Sequence, residues 1–397
     1  MTVTMRPGRL AGSISAMPSK YDLHRLMIAS HLAGIELDGF SVISDDIAVT
    51  KECLLCLPPR DASVSCESRF NAAAPPRGGL WQQPVICGCR ESGSTLRFLL
   101  PVFAALGRSV TFTGEGRLPE RPMQPLIDQM REHGCAIDRE RLPITIAGRL
   151  QPGTFTLPGD VSSQYVTGLL FALPLLAGDS EIVLSSPLES RGYVDMTLRT
   201  LRKFNIAIHE TARGCEVPGG QQFLMPVPSL LIPEGDWSAA AFWLAAGVRV
   251  TGLDETSAQP DRAIAGLLRD LPGEIDVSQC PDLMPVLAVV MALTPGERAI
   301  TNAARLRIKE SDRLRAMAAN LQALGADATE LPDGLVIRGK PMLRGGEADS
   351  FGDHRIAMAL AIAALKCEGS VTLHGAQAVA KTYPDFWEDY QRLGGKI

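Results

Sequence analysis

The stretch Phe351-Gly352-Asp353-His354-Arg355-Ile356-Ala357-Met358-Ala359-Leu360-Ala361-Ile362-Ala363-Ala364-Leu365 has a form that the rest of the chain repeats. A short polar turn leads into a helix-length run that is apolar on nearly every side. A surface helix would carry one apolar stripe, so this run predicts a helix buried inside a domain. Five further segments share the form: Pro18-Ser19-Lys20 to Gly34, Glu91-Ser92-Gly93 to Gly107, Gly159-Asp160-Val161-Ser162 to Gly178, Glu234-Gly235-Asp236 to Gly247, and Gln279-Cys280-Pro281-Asp282 to Leu293. Each opens on small or acidic residues suited to a helix start, and most close on Gly.

A second, more amphipathic helix is expected after each buried one. These run from Asp45 to Leu57, Pro122 to Gly134, Tyr193 to Phe204, Asp261 to Leu271, Lys309 to Gly325, and Lys381 to Leu393. In the fifth, Leu314, Met317, Leu321 and Leu324 recur at steps of three and four, one stripe on a solvated helix. Short β-like runs lie between, such as Ser109 to Thr113 and Gly334 to Arg338. The pattern predicts an α/β chain of six related units, three in each half, with Pro226 to Pro233 as the passage between halves. An ordinary α/β sheet protein with chance similarity among Ala-rich helices also fits the periodicity.

With 397 residues, two domains are expected. A formal charge of −5 argues against a nucleic-acid binder, whose footprint is a basic surplus. Met1 to Leu10 lacks the apolar core of a signal peptide, and the longest apolar runs, such as Tyr165 to Ala177, are too short to span a bilayer. A cytoplasmic protein with no membrane association is expected. The cysteines are nine, an odd number in a long chain, which points to reduced thiols. Cys53, Cys56, Cys87 and Cys89 have spacing that zinc could use. The apolar run Cys53-Leu54-Leu55-Cys56 favours ordinary buried thiols, so no metal is expected.

Charge gathers at the predicted helix starts. Lys20 and Arg25 open the first; Ser92, Gly93, Ser94 and Arg97 open the second, with Arg121 following. Ser162, Ser163 and Gln164 open the third, with Ser190 and Tyr193 next. Asp282 opens the fifth, ahead of Arg307, Lys309, Glu310 and Arg313. Asp353, His354 and Arg355 open the last, ahead of Lys381. A helix N-terminus presents unpaired N–H groups and partial positive charge, which suit phosphate. Arg adds a planar fork for carboxylate or phosphate, and Lys a compact charge. An acidic chain that places cations at many helix starts organises them around an anionic ligand. Duller readings exist for each residue. Lys309 to Arg315 fits a solvated helix face of ion pairs worth about 0.2–0.5 kcal/mol each. His354 fits a structural hydrogen-bonder, and Ser162 and Ser163 fit helix caps. Gly114-Glu115-Gly116 lacks the rest of a dinucleotide fingerprint.

Taken together, the motifs resemble the 5-enolpyruvylshikimate-3-phosphate synthases, a family of enolpyruvyl transferases. The resemblance rests on Pro18-Ser19-Lys20 with Arg25, Ser92-Gly93-Ser94-Thr95 with Arg97, Arg121-Pro122-Met123, Ser162-Ser163-Gln164 and Tyr193-Val194-Asp195-Met196. It continues through Glu234-Gly235-Asp236, Pro281-Asp282, Lys309-Glu310-Ser311-Asp312-Arg313, Asp353-His354-Arg355-Ile356-Ala357-Met358 and Lys381-Thr382-Tyr383-Pro384-Asp385. These ordered blocks run from about residue 12 to residue 390.

The resemblance implies two similar domains, each of three βαβαββ units in an inside-out α/β barrel. It assigns residues 13–227 to a first lobe on the shikimate 3-phosphate side. Residues 228–397 with 1–12 form a second, carrying the catalytic carboxylates and the phosphoenolpyruvate side. It implies transfer of the enolpyruvyl group of phosphoenolpyruvate to the 5-hydroxyl of shikimate 3-phosphate, without a cofactor, by a monomer. Asp282 is then the group that activates the hydroxyl, Glu310 the proton shuttle at the methylene carbon, and Lys20 the cation at the reacting centre. Phosphoenolpyruvate would be held by Lys20, Gly93, Arg97, Arg121, Gln164, Lys309, Arg313, Arg355 and Lys381. Shikimate 3-phosphate would be held by Lys20, Tyr21, Arg25, Ser162, Ser163, Gln164, Ser190, Tyr193, Asp282 and Lys309. Gly at 93 further implies inhibition by glyphosate.

The chain departs from the family at Tyr21, where Ser is usual, at Glu91, where Asn is frequent, and at Arg305. Residues 57–90 fit the first unit poorly. The sister transferase acting on UDP-N-acetylglucosamine carries a loop Cys that Thr113 to Glu120 lacks. A non-catalytic relative would have no use for Lys20, Asp282 and Glu310 together.

Overall fold

The computed structural model describes residues 1–35, 37, 44–57 and 84–397; most of the segment 57–90 therefore lies outside the described residues. The chain divides into two compact bodies. One is built chiefly from Met1–Lys20 and Glu234–Ile397, the other from Asp46–Pro233 and the stretch that starts at Tyr21.

The N-terminal segment contributes strands β1 (Thr2–Met5) and β2 (Ser13–Ser15) to the first body. Helix α1 (Lys20–Leu32) then opens the passage into the second, followed by α2 (Asp45–Leu55). There β3 (Val85–Gly88), α3 (Gly93–Ala105), β4 (Val110–Thr113), α4 (Gln124–Glu132), β5 (Cys135–Ile137) and β6 (Ile144–Gly148) make one βαβαββ unit. Its sheet order is β3-β4-β6-β5, the first pair parallel and the others antiparallel. The next unit repeats that order: β7 (Thr154–Leu157), α5 (Ser163–Ala172), β8 (Ser180–Leu184), α6 (Arg191–Lys203), β9 (His209–Thr211) and β10 (Gly214–Val217) pair as β7-β8-β10-β9.

In the first body, α7 (Trp237–Ala245), β11 (Arg249–Thr251) and α8 (Ile264–Arg269) take β2 as a parallel partner of β11. A complete unit follows: β12 (Glu274–Asp276), α9 (Met284–Ala292), β13 (Gly296–Thr301), α10 (Arg313–Ala323), β14 (Asp327–Leu331) and β15 (Gly334–Gly339). Its order is again β12-β13-β15-β14, with the same parallel and antiparallel pattern. The last copy holds β16 (Gly346–Asp349), α11 (His354–Ala364), β17 (Val371–His374) and α12 (Phe386–Arg392), and β1 closes it antiparallel to β17.

Each body has its own core, and the all-apolar helices lie within it as their composition dictates. Every residue of α11 is buried, including His354 and Arg355 at its start. Helix α9 buries all but Val290. Leu287, Met291, Leu360 and Ile362 are at most 3% exposed, and each contributes roughly 1.5–3 kcal/mol by leaving water. The amphipathic helices cover the sheets and keep one wet face. In α10, Leu314, Met317 and Leu321 point inward, with Leu324 buried just past its end.

Two expectations need correction. The helix expected from Lys309 begins only at Arg313, because Asp312 turns extended and caps it, accepting from the Arg315 N–H at 3.1 Å. Lys309 and Glu310 thus stand on the loop ahead of it, not on a solvated helical face. The helix expected from Lys381 begins at Phe386; Lys381 ends a 3-10 turn. No helix among the described residues is long and apolar enough to cross a membrane.

Candidate active site

In the body of Glu234–Ile397, one guanidinium organises a cluster of carboxylates. Arg313 is the first residue of α10, and its side chain is 2% exposed. Nε donates to Asp353 Oδ2 at 2.7 Å, Nη1 to Asp282 Oδ1 at 2.7 Å, and Nη2 to Glu310 Oε2 at 2.9 Å. Burial works against the charge, yet Asp353, Glu310 and Asp282 more than offset it and push the guanidinium up from its ordinary value. Arg355 grips the other oxygen of Asp282, Nη2 to Oδ2 at 3.2 Å. Lys381 Nζ lies 3.8 Å from Glu310 Oε1. Two carboxylates expected to move protons are therefore held at set angles by cations whose own positions are fixed.

The elements explain the placement. Asp282 lies on the turn Pro281–Leu283 ahead of α9. Asp353 caps α11, accepting from the Arg355 N–H at 2.9 Å, while its side chain reaches Arg313 and the Ser311 hydroxyl. Lys20 is 9% exposed, and its backbone N–H donates to Asp236 Oδ2 at 3.2 Å. Asp236 in turn caps α7 through the Ala239 N–H at 2.8 Å. Lys309 is partly buried, and desolvation of its ammonium pushes it down to about 8. His354 is 1% exposed, and burial, then Lys20 and Arg355, hold it well below its ordinary value, so the imidazole is neutral. Neither of its ring nitrogens has a hydrogen-bond partner among the described residues, which overturns the expectation of a structural hydrogen-bonder.

In the Asp46–Pro233 body, a second cluster forms at the starts of α3, α5 and α6. Ser92 caps α3 and Ser162 caps α5, accepting from the N–H groups of Thr95 and Gln164, each at 3.3 Å. Arg97 donates from Nη1 to Gln164 Oε1 at 2.9 Å and from Nη2 to the Pro122 carbonyl at 3.2 Å. Gln164 Nε2 donates to Ser94 Oγ at 2.9 Å. A Cβ on Gly93 would stand 2.5 Å from Arg97 Nη1, 3.0 Å from Arg121 Nη1 and 3.6 Å from Gln164 Oε1. Glycine is what lets two guanidiniums close on one point of backbone. Ser163 is 5% exposed.

Arg25 is 2% exposed and joins two helices: Nη1 donates to the Tyr21 carbonyl at 2.6 Å, Nη2 to the Tyr193 carbonyl at 2.7 Å, and Nε to Thr197 Oγ1 at 2.9 Å. Burial pushes its guanidinium down to about 10. The Tyr21 and Tyr193 rings lie 4.8 Å apart, tilted by 31°, so the residue that departs from the family pattern packs on an expected ligand contact. Ser190, 2% exposed, starts α6 in the left-handed region at φ 55°. Arg305 binds the Ser278 carbonyl.

Among the described residues no group of His, Cys, Asp or Glu is arranged to hold a metal. Cys53, Cys87 and Cys89 are buried, and burial pushes the half-exposed Cys56 thiol up to about 11. Sequence reasoning marked Asp236 and Asp353 as helix starts without giving them a role, and missed Gln259, which accepts from the Trp237 N–H at 3.0 Å, and Asp261, which accepts from the Ser238 hydroxyl. Asp353 had a visible signal, an acidic residue at a helix start. Asp261 had none, because its burial arises from contacts distant in sequence.

The family model for EPSP synthase (3-phosphoshikimate 1-carboxyvinyltransferase) matches residues 5–275 and 269–390. A 3-phosphoshikimate 1-carboxyvinyltransferase of Clostridium kluyveri is 42% identical, covering 100% of this chain and 98% of its own length. The protein of the same name from Clostridium acetobutylicum is also 42% identical, with the same coverage. Among solved structures, EPSP synthase from Acinetobacter baumannii superposes with a TM-score of 0.75 at 23% identity, covering 99% of this chain and 98% of that one. The enolpyruvyl transferase NikO from Streptomyces tendae gives 0.69 at 18% identity, covering 100% and 97%, a likeness of fold. The match spans the chain and includes the segments that carry both clusters: the chain belongs to the EPSP synthase (3-phosphoshikimate 1-carboxyvinyltransferase) family.

Proposed function

We propose that the chain transfers the enolpyruvyl group of phosphoenolpyruvate to the 5-hydroxyl of shikimate 3-phosphate, releasing phosphate, as a step of aromatic amino-acid biosynthesis in the cytoplasm. The observation that carries this reading is the arrangement about Arg313, in a chain that matches the family from end to end: Asp282 and Glu310 share Arg313, and each has a second cation of its own, Arg355 for Asp282 and Lys381 for Glu310.

The reaction needs two opposed proton movements. The ring hydroxyl adds to C2 of phosphoenolpyruvate and gives up its proton while C3 gains one, forming a tetrahedral adduct. The adduct then loses a proton from the new methyl group and expels phosphate, leaving an enol ether. Asp282 takes the hydroxyl proton. Glu310 delivers the proton to C3 and takes one back. Lys20 balances the negative charge at the reacting centre. Lys309, Arg313, Arg355 and Lys381, with Gly93, Arg97, Arg121 and Gln164, hold phosphoenolpyruvate. Shikimate 3-phosphate is held by Tyr21, Arg25, Ser162, Ser163, Gln164, Ser190 and Tyr193, together with Lys20, Asp282 and Lys309. Two phosphates and two carboxylates repel one another strongly at short range, which is why so many cations are required.

Purified protein mixed with both substrates is expected to release inorganic phosphate stoichiometrically with the enol ether. No release, with turnover of UDP-N-acetylglucosamine instead, would assign the sister reaction. Calorimetric binding of the substrates without turnover would make the chain a binding protein.

A further inference from the structure

One buried carboxyl group, which feels the charges of Asp282 and Arg355, has no place in the reaction above. Asp261, 1% exposed, lies on the turn Pro260–Ala263. Its Oδ2 accepts from the Ser238 hydroxyl on α7, and its Oδ1 has no hydrogen-bond partner among the described residues. The turn is held rigidly. Gln259 Oε1 accepts from the Trp237 N–H at 3.0 Å and from the Ser19 hydroxyl at 3.2 Å, and its Nε2 donates to the Gly235 carbonyl at 2.8 Å. The same residues therefore fix Ser19, next to Lys20, the start of α7, and Asp261.

The groups facing Asp261 come from three elements. Ser238 belongs to α7, and Asp236 caps it. Cys280 and Asp282 come from the turn before α9, and Arg355 from α11. A buried carboxylate with one bare oxygen and two acidic neighbours is costly, whereas the neutral acid avoids most of that cost. Lys20, Lys309, Arg313, Arg355 and Lys381 are the cations of this body proposed to hold phosphoenolpyruvate, and ionising Asp261 adds a negative charge that acts on Arg355.

We propose that Asp261 is a positioning residue acting through Arg355: as a neutral acid it leaves the charge of that guanidinium to phosphoenolpyruvate, and on ionising it competes for it. This rests on the proposed reaction. Burial first, and then the charge of Asp282, push the Asp261 carboxyl up to about 7, with Arg355 and the Ser238 hydroxyl opposing them. The group is neutral below that value and ionised above it. Phosphoenolpyruvate binding therefore weakens as pH rises through it.

The test is steady-state phosphate release by the full chain and by Asp261→Asn across about pH 6 to 8.5. Asn keeps the shape and the acceptor for Ser238 but cannot ionise. Titration of the ligands and of Lys309 is common to both proteins and cancels in the ratio of their KM values. The wild-type to variant ratio of KM for phosphoenolpyruvate is expected to rise roughly tenfold through neutrality, the scale on which one added unit charge changes the binding of an anion in a partly buried site. The kcat ratio stays flat. A KM ratio that does not change with pH overturns the proposal. Ser238→Ala removes the donor that favours the ionised form, so the step in wild-type KM should move to higher pH; an unmoved step also overturns it. Absence of turnover by the wild type would instead sink the reaction assignment, and the two failures cannot be confused.

Discussion

Replacing Gly93 with Ala adds a single carbon at the point where two guanidiniums meet. The new Cβ would lie 2.5 Å from Arg97 Nη1 and 3.0 Å from Arg121 Nη1. Non-bonded heavy atoms relax at about 3.5 Å, so Arg97 must retreat by about 1 Å and Arg121 by about half that. The retreat strains the bonds from Arg97 to Gln164 at 2.9 Å and to the Pro122 carbonyl at 3.2 Å. Losing one charge-assisted contact to the ligand costs roughly 1.5–3 kcal/mol, which is about a ten- to hundredfold rise in KM. The assay is initial-rate phosphate release with phosphoenolpyruvate varied at saturating shikimate 3-phosphate, then the reverse. The first KM should rise more than the second, because Gln164 is shared by both ligands whereas Arg25, Tyr21 and Tyr193 make their contacts with one another and with Thr197 and Phe98. Thermal unfolding should change little, since the side chain that moves ends at the site and not in the core. An unchanged KM for phosphoenolpyruvate, or an equal rise in both, would refute the placement of Arg97 and Arg121 on that ligand.

Lys20→Ala and Glu310→Ala should each lower kcat by orders of magnitude while circular dichroism stays native; near-normal turnover would remove them from the mechanism. Asp353→Ala leaves the 2%-exposed Arg313 without its Nε partner and should destabilise the fold by roughly 3–5 kcal/mol in denaturant unfolding, as breaking a buried pair does. Lys309, pushed down to about 8 by burial, is charged below that pH and neutral above it, so kcat/KM for phosphoenolpyruvate should fall as pH rises through about 8. Lys309→Arg, which stays charged, should remove the fall near 8 and leave only the one near 7 that Asp261 produces; a fall that persists near 8 would point to another group. Lys381→Ala should raise KM for phosphoenolpyruvate more than it lowers kcat, as measured by the same assay.

The chain by itself determined a great deal. Runs such as Ile356 to Leu365 are too apolar to face water on any side, so they had to become interior helices whatever surrounds them. The recurrence of that form, with short strands between, predicted repeated α/β units before any contact was known. Small and acidic residues at Ser92, Ser162 and Asp353 marked helix starts, because local hydrogen bonds to the first turn suffice to place a cap. Those starts carried most of the candidate site.

Tertiary structure alone decided the rest. Strand β1 pairs Thr2–Met5 with Val371–His374, and β2 pairs Ser13–Ser15 with Arg249–Thr251; short strands of three or four residues hold no local information about such distant partners. The same is true of charge. Lys309 to Arg315 is an unremarkable string of alternating charges by sequence, and it was the burial of Arg313 against Asp282, Glu310 and Asp353 that made it a site. Asp261 was invisible for that reason too: a carboxyl becomes unusual only when the fold removes its water and sets other charges beside it, and those neighbours come from turns and helices that only folding brings together.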